Sequence, residues 1–264
     1  IGRCLASLEA VEHDAFEIVV LDNASSDGTV ARVETLLART SRHPLTLRSL
    51  SHNHGFCGAV NLGIRSSDAD AVLLVNPDAT IDPDAVAVMM RVLDVHPRCG
   101  TVQPKLLRLR PGAPEAPATI DTTGHVLTRP RLLLNRGSGR PDDGSFDDAG
   151  EVFGASGALV LHRRAMLEDV ARGGPEAREY LTEELVAYFD DIELDLRARQ
   201  RGWTARYEPM AIGHHARAGA SERRRRRVRS LNLSNHALVV IGSEGWTSLA
   251  RDAHVIVPLW LLRF

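Results

Sequence analysis

Apolar and polar positions change period several times along the first hundred residues. Ile1 to Leu8 has apolar residues at helical spacing and reads as the middle of a helix. Phe16 to Leu21 is a β-rich apolar run that ends in polar Asp22-Asn23. Thr29 to Ala38 returns to the helical period, Leu45 to Leu50 fits a strand, and Gly55 to Ile64 fits a helix of small residues. Ala71 to Val75 is an apolar run of strand length. Asp82-Pro83 reads as an N-cap followed by a first-turn proline, opening a helix to about His96. Gly100 to Gln103 completes the series as another strand. Strands alternating with helices predict an α/β fold with a mostly parallel central sheet flanked by helices. In such sheets ligands bind beyond the carboxyl ends of the strands, and Asp22-Asn23 and Asn76-Pro77-Asp78 stand at two of those ends.

The pattern then loosens. From about Arg110 to Gly150 the chain is rich in Pro, Gly, Asp and Arg, and reads as loop lying over a site. Order returns with Gly154-Ala155-Ser156-Gly157-Ala158, which leads into the strand Leu159-Val160-Leu161. Leu185 to Arg201 reads as a helix with acids early and arginines late, as the helix dipole favours. A strand pair is expected over Thr204 to Tyr207 and Met210 to Gly213. No internal repeat is visible.

Composition narrows the class. With 264 residues and 44% apolar content the chain can bury a sizeable core. A formal net charge of -2 gives no support to a nucleic-acid binder. Three cysteines, widely spaced and odd in number, fit neither a disulfide framework nor a zinc site, and suit a reducing cytosol. No signal peptide is expected, and the longest apolar runs fall short of the ~20 residues a spanning helix needs. Starting mid-helix without a methionine, the sequence is expected to lack an opening strand.

Five motifs can carry chemistry, and each has a plainer structural account. Asn76-Pro77-Asp78 offers a proline-fixed carboxylate suited to Mg²⁺ or Mn²⁺ beside a diphosphate, or is simply a turn. Asp22 to Thr29 offers short polar side chains for a base or ribose, or caps the next helix. Asn53 to Gly63 has glycines that let a ligand approach the backbone, or that pack helix on strand. It lacks the dinucleotide fingerprint and a P-loop lysine, so neither a dehydrogenase nor a kinase is supported. Tyr188 to Asp195 places adjacent carboxylates where one can take a proton from a sugar hydroxyl, or merely complements a helix dipole. His214-His215 can ligate metal or contact phosphate.

Taken in order, these motifs resemble glycosyltransferase family 2 enzymes of the GT-A type, in particular the rhamnosyltransferase-like branch. The resemblance is carried by Val20-Leu21-Asp22-Asn23-Ala24-Ser25-Ser26-Asp27-Gly28-Thr29, Asn53-His54-Gly55-Phe56, Asn61-Leu62-Gly63 and Leu74-Val75-Asn76-Pro77-Asp78. It continues with Phe153 to Ala158, Tyr188 to Leu194 and Arg201-Gly202-Trp203, and more weakly with Asn235-His236-Ala237-Leu238. It implies an inverting transferase that moves a sugar from a nucleoside diphosphate in one in-line displacement. Asp191 would be the general base and Asp78 the main ligand of a divalent metal, with His214 or His215 near metal and diphosphate. Asp22 would contact the base. Asn23, Asn53, Gly55, Asn61, Asn76 and Trp203 complete the expected substrate-binding set. Asn76 stands where the family has the first acid of its DxD-like motif, which leaves metal positions to water and diphosphate. Asp190 stands where glutamate is common.

The expected organisation is a nucleotide-sugar half over 1–106, an acceptor and base half over 107–215, and a basic and apolar tail over 216–264. The tail holds five consecutive arginines, Arg223 to Arg227, and the apolar segments Leu238 to Ile241 and Val255 to Leu262, with Trp246 and Trp260. It fits either an anionic membrane surface or an ordinary solvated helix. The expected partners are a dTDP- or UDP-sugar donor and a glycan or lipid-linked acceptor. Cell-envelope biosynthesis at the inner face of the plasma membrane would follow, with rhamnose as one candidate sugar. A non-catalytic nucleotide-sugar-binding module and a nucleotidyltransferase are the competing readings, the latter without the basic glycine-rich loop it needs.

Overall fold

The computed structural model describes residues 1–38, 41–109, 118–128, 133–174 and 177–217, and, of the tail, 228, 231–232, 234–242, 247, 250–251, 253–255 and 257–258. Arg223 to Arg227, Trp246, Trp260 and most of Val255 to Leu262 lie outside the described residues.

The elements follow the alternation of the sequence: α1 (Gly2–Glu9), β1 (Ile18–Asp22), α2 (Thr29–Leu37), β2 (Leu45–Ser49), α3 (Gly55–Arg65), β3 (Ala71–Val75), β4 (Ala79–Ile81), α4 (Ala85–Val95) and β5 (Cys99–Arg108). The helix expected from Asp82 starts three residues later, because the Ala85 amide turns back to the Asp82 carbonyl at 3.2 Å. Within Arg110 to Gly150, where loop was expected, the described residues form the short strands β6 (Ile120–Thr122), β7 (His125–Leu127) and β8 (Leu133–Asn135), and β9 (Gly150–Val152) begins at its end. Next come β10 (Leu159–Arg163), α5 (Arg164–Val170), α6 (Asp190–Gln200) and β11 (Thr204–His215). The strand pair expected over 204–213 is one strand with a bulge between Glu208 and Ile212, around Pro209.

β1 and β2 pair parallel as a separate ladder. The main sheet runs β3-β10-β5-β11-β4, with β6 added to β5 and β9 to β11. Its strands β3, β5 and β11 share one direction, and β10 runs against β3 and β5 between them. The carboxyl ends of β3, β5 and β11 therefore lie on one edge, beside the start of β10.

Strand alternation divides the core in two. Leu73, Val75, Leu159, Leu161, Val102 and Leu106 pack with α1 and α4. Val72 joins α3, α5 and α6 in the second cluster, through Ile64, Met166, Leu167, Ile192 and Leu194. The cross-strand pair Thr101–His162 lies within this packing, with Thr101 Oγ1 3.1 Å from His162 Nδ1. Burial pushes the His162 imidazole down to about 4. Unfolded chains take up that proton near 6.5, so His162 costs no stability above that pH and costs progressively more as pH falls towards 4. His162→Gln is expected to outlast the parent at pH 4.5 by ~2–3 kcal/mol relative to their difference at pH 7. Urea midpoints at the two pH values measure this, and an unchanged difference would refute it.

Candidate active site

Asp22, at the end of β1, is buried, and each of its carboxylate oxygens lies 3.3 Å from the Ser25 amide. Asn23 ties this loop to the next one. Its amide donates to the Gly55 carbonyl at 2.8 Å and to Asn53 Oδ1 at 3.2 Å, and its oxygen accepts from the His54 amide at 2.8 Å. Asn53 Oδ1 also accepts from the Gly55 amide at 2.8 Å. Gly55 has φ +75°, and a Cβ there would meet the Val186 backbone oxygen at 3.2 Å. The polar network at the end of β1 therefore leans directly on the segment that precedes α6.

That segment begins with a 3-10 turn, Glu183–Leu185, and has unusual backbone. Val186 (φ 60°), Tyr188 (φ 70°) and Phe189 (φ 65°) are left-handed without being glycine. Val186 is the centre of a γ-turn closed by the Ala187 amide on the Leu185 carbonyl at 2.6 Å. Each such residue costs ~1–3 kcal/mol, most for a β-branched one, and such strain persists only where neighbours hold it. Because of this turn α6 starts at Asp190, not at Leu185 as the charge pattern predicted.

The turn delivers three carboxylates. Asp191 accepts the Gly157 amide on Oδ2 at 3.1 Å. Asp195, one helical turn on, accepts the Ala155 amide at 3.0 Å. His125 of β7 is buried between them, with Nδ1 3.1 Å from Asp195 Oδ2 and Nε2 3.7 Å from Asp191 Oδ2. Gly154 makes room for this arrangement, since a Cβ there would sit 1.7 Å from Asp195 Oδ2. Burial and then the Asp191 charge push the Asp190 carboxyl up to about 7. Burial pushes Asp195 up to about 6 against the hydrogen bond from His125. For His125, burial alone would lower the pKa, but the charge of Asp191 and the Asp195 hydrogen bond outweigh it and raise it.

A second acidic group lies across β10. The Asn76 amide donates to the Ala158 carbonyl at 2.9 Å, so Asn76-Pro77-Asp78 adjoins the Gly157 loop that Asp191 holds. Asp78 Oδ1 is 3.3 Å from His215 Nε2, and His215 Nδ1 is 3.0 Å from Asp121 Oδ2. Burial disfavours the imidazolium, but these two carboxylates outweigh it and raise His215 to about 9. Asp121 is buried and also faces Arg217 at 2.5 Å and Arg108 at 3.4 Å. His214 points to the other face of β11, 3.8 Å from Asp82, and does not join the Asp78 pair. Strand alternation thus separates two histidines that the sequence left equivalent.

Two expected residues are placed elsewhere. Asn61 is fully buried, and its amide donates to the Leu181 carbonyl and Glu183 while its oxygen accepts from Tyr180 and Leu181 amides at 2.9–3.0 Å. It fastens α3 to residues 180–183, with no group left to line a pocket. Trp203 precedes β11, at the opposite end of that strand from His215, and donates to Asp169 at 2.8 Å. Conversely His125, Asp121, Asp195 and Asn235 were not expected at the site. A DTTGH turn carries no catalytic spacing, and Asp195 reads as an ordinary i+4 partner of Asp191.

The sheet thus gathers carboxylates and an imidazole at its strand ends, where sheets of this kind bind ligands. The glycosyl transferase family 2 profile matches residues 1–139, and the chain belongs to that family. No curated protein sequence matches it. Its fold is similar to GalNAc-T7, crystallised with UDP, GalNAc and Mn²⁺, at TM-score 0.65 and 12% identity. That match covers 90% of this chain and 44% of GalNAc-T7. It is also similar to the mannosyltransferase PcManGT from Pyrobaculum calidifontis in complex with GDP-Man and Mn²⁺, at TM-score 0.63 and 20% identity, over 96% of this chain and 64% of that one. S. aureus TarS 1-349 with UDP-GlcNAc follows at TM-score 0.58 and 16% identity, over 97% of this chain and 66% of that one. The chain therefore spans less than two thirds of each of these proteins. No helix among the described residues is long and apolar enough to cross a membrane.

Proposed function

We propose that this chain transfers a sugar from a nucleoside diphosphate to a hydroxyl acceptor with inversion, with Asp191 as general base. The observation that carries this reading is the bridge Asp191–Gly157–Ala158–Asn76, which sets the base beside the Asp78–His215 pair at one sheet edge. Asp191 is partly open to solvent, as a group that takes a proton from an incoming hydroxyl must be. The Asn23–Asn53–Gly55 network at the end of β1 flanks the same edge and suits the nucleoside.

Asp78 and His215 would hold a divalent cation, Mg²⁺ or Mn²⁺, with the cation displacing the proton that Asp78 and Asp121 otherwise keep on His215; GalNAc-T7 and PcManGT were crystallised with Mn²⁺. His215 directs its second nitrogen to Asp121, the outer-shell arrangement that orients a ligating imidazole. Among the described residues no cluster of three His, Cys, Asp or Glu forms a complete cage, so diphosphate oxygens and water would fill the other positions. Bound there, the cation supplies charge neutralisation for the departing diphosphate. Arg108 and Arg217, gathered on Asp121, add positive charge beside that place.

The finer reading is a rhamnosyltransferase-like enzyme using a dTDP- or UDP-sugar, acting on a cell-envelope glycan or lipid-linked acceptor. Its support is the resemblance of the motifs and the arginine run Arg223 to Arg227, which suits an anionic membrane surface. A thermal-shift screen of dTDP-, UDP- and GDP-sugars with Mn²⁺ or Mg²⁺ tests donor use. One donor is expected to give a metal-dependent rise in melting temperature that Asp78→Ala abolishes. A shift that survives in Asp78→Ala would overturn the metal assignment, and no shift with any donor would overturn the donor reading.

A further inference from the structure

The carbonyls of the turn before Asp190 can be accounted for one by one. Val186 O accepts the amides of Phe56 at 2.9 Å and Cys57 at 3.3 Å, in the first turn of α3. Phe189 O accepts the Glu193 amide at 2.9 Å and starts α6. The other three, Leu185 O (which also accepts the Ala187 amide of the γ-turn), Ala187 O and Tyr188 O, converge on one group, the side-chain amide nitrogen of Asn235, at 2.8, 3.0 and 2.9 Å. Three carbonyl oxygens meet at one point because Val186, Tyr188 and Phe189 are left-handed. In a helix they would be parallel, and in a strand they would alternate. Such oxygens repel one another unless a donor stands among them, and a carboxamide with two N–H groups is a compact donor for that place. Asn235 is 2% exposed, within the helical residues 234–242. Its neighbour His236 stacks on the Phe189 ring at 5.1 Å, and Val239 packs in the same cluster as Leu185 and Phe189.

We propose that Asn235 is a positioning residue: its carboxamide gathers the carbonyls of Leu185, Ala187 and Tyr188 and so holds the left-handed turn that delivers Asp191 to Gly157. The tail beyond the sheet is then part of the active-site framework. The helix that carries Asn235 secures the base from one side, while α3 secures the Val186 carbonyl from the other. Calling the delivered group a base rests on the glycosyl-transfer reading. The clamp itself does not.

Asn235→Asp keeps the volume and removes both donors. Hydrogen exchange followed by mass spectrometry is expected to show faster exchange in peptides covering 183–191 and 55–57, with the β5–β11 amides unchanged. Under Mn²⁺ with UDP-N-acetylglucosamine, GDP-mannose or dTDP-rhamnose, whichever the parent chain turns over, kcat is expected to fall at least about tenfold. Donor KM should stay within about threefold, because Asp78, His215 and the β1 loop are untouched. Unchanged exchange over 183–191 overturns the proposal, as does raised exchange with kcat within twofold of the parent. Should Asn235→Asp fail to fold, Asn235→Ser keeps one donor in the space and is read by the same two measurements. If the parent turns over no donor, the functional reading fails and exchange alone decides the clamp.

Discussion

Asp191→Asn is expected to lower kcat by about 10²–10⁴-fold, the range a general base contributes, while leaving the donor-induced thermal shift intact. The amide side chain is nearly isosteric and its Oδ1 can still accept the Gly157 amide that Asp191 Oδ2 holds at 3.1 Å, so the Asn76–Ala158–Gly157 bridge should persist. Besides the capacity to take a proton, the variant loses one of two acceptors, since Asp191 Oδ1 also accepts the Ile192 amide at 2.9 Å, and the charge that faces His125. A single-turnover assay under saturating donor separates this from a binding defect. Parent-like turnover in the variant would remove Asp191 from the chemistry, and loss of donor binding would make it a structural residue of the pocket.

The largest effect on stability is expected at His125. This ring is buried between Asp195 at 3.1 Å and Asp191 at 3.7 Å, with Asp190 nearby as a further carboxyl. Removing one member of a buried charged set leaves the others uncompensated, which typically costs about 3–5 kcal/mol. His125→Ala is expected to lose stability of that size at pH 7, read from denaturant midpoints. The pH dependence gives the sign. Because His125 binds its proton more tightly when folded, its contribution is present below the ordinary histidine pKa and lost as pH rises through the raised value. Asp190 and Asp195, held up at about 7 and 6, also favour the folded state most at low pH, with that advantage lost as pH rises through those values. The variant should therefore decline more steeply than the parent between about pH 5 and 7, where these carboxyls must ionise without the ring. A variant with parent stability throughout would show that the three carboxyls do not depend on the ring.

Period and punctuation made the first half of the fold legible. Each change between helical and strand spacing up to Gln103 corresponds to an element, and the polar residues after β3 lie at the edge of the main sheet, those at the end of β1 at the end of its own ladder. The misreadings have local physical causes. Backbone sign is invisible in side-chain pattern, so Val186, Tyr188 and Phe189 read as helix although they are left-handed. The strand pair expected over 204–213 is one strand because a bulge absorbs Pro209. The short strands β6 to β9 are too brief and too rich in polar residues to show a period of two. Long-range partners were out of reach: Asn61 meets Tyr180 and Leu181, and Asn235 meets Leu185 to Tyr188, across large sequence separations. A polar amide in an apolar helix was the one available sign of such a clasp, at both Asn61 and Asn235. The acid pair at the start of α6 and Asp78 were legible because each stands at a boundary between elements, where chemistry and turn formation ask for the same residues.

The ladder between β5 and β11 carries a mechanical consequence. It pairs Thr204 with Cys99 at one end and His215 with Arg108 at the other, crossing the point near residue 106 where a donor half and an acceptor half were expected to meet. Sliding one half against the other would shear that whole row of hydrogen bonds together, and hinging would have to fold it across its middle. Among the described residues this ladder is thus a stiff spine, interrupted near its start at Thr204 and at the bulge between Glu208 and Ile212. Any rearrangement around a ligand is then expected at the connections at the strand ends, above all the turn at 185–189, which is tied by the Asn235 side chain rather than by a strand ladder.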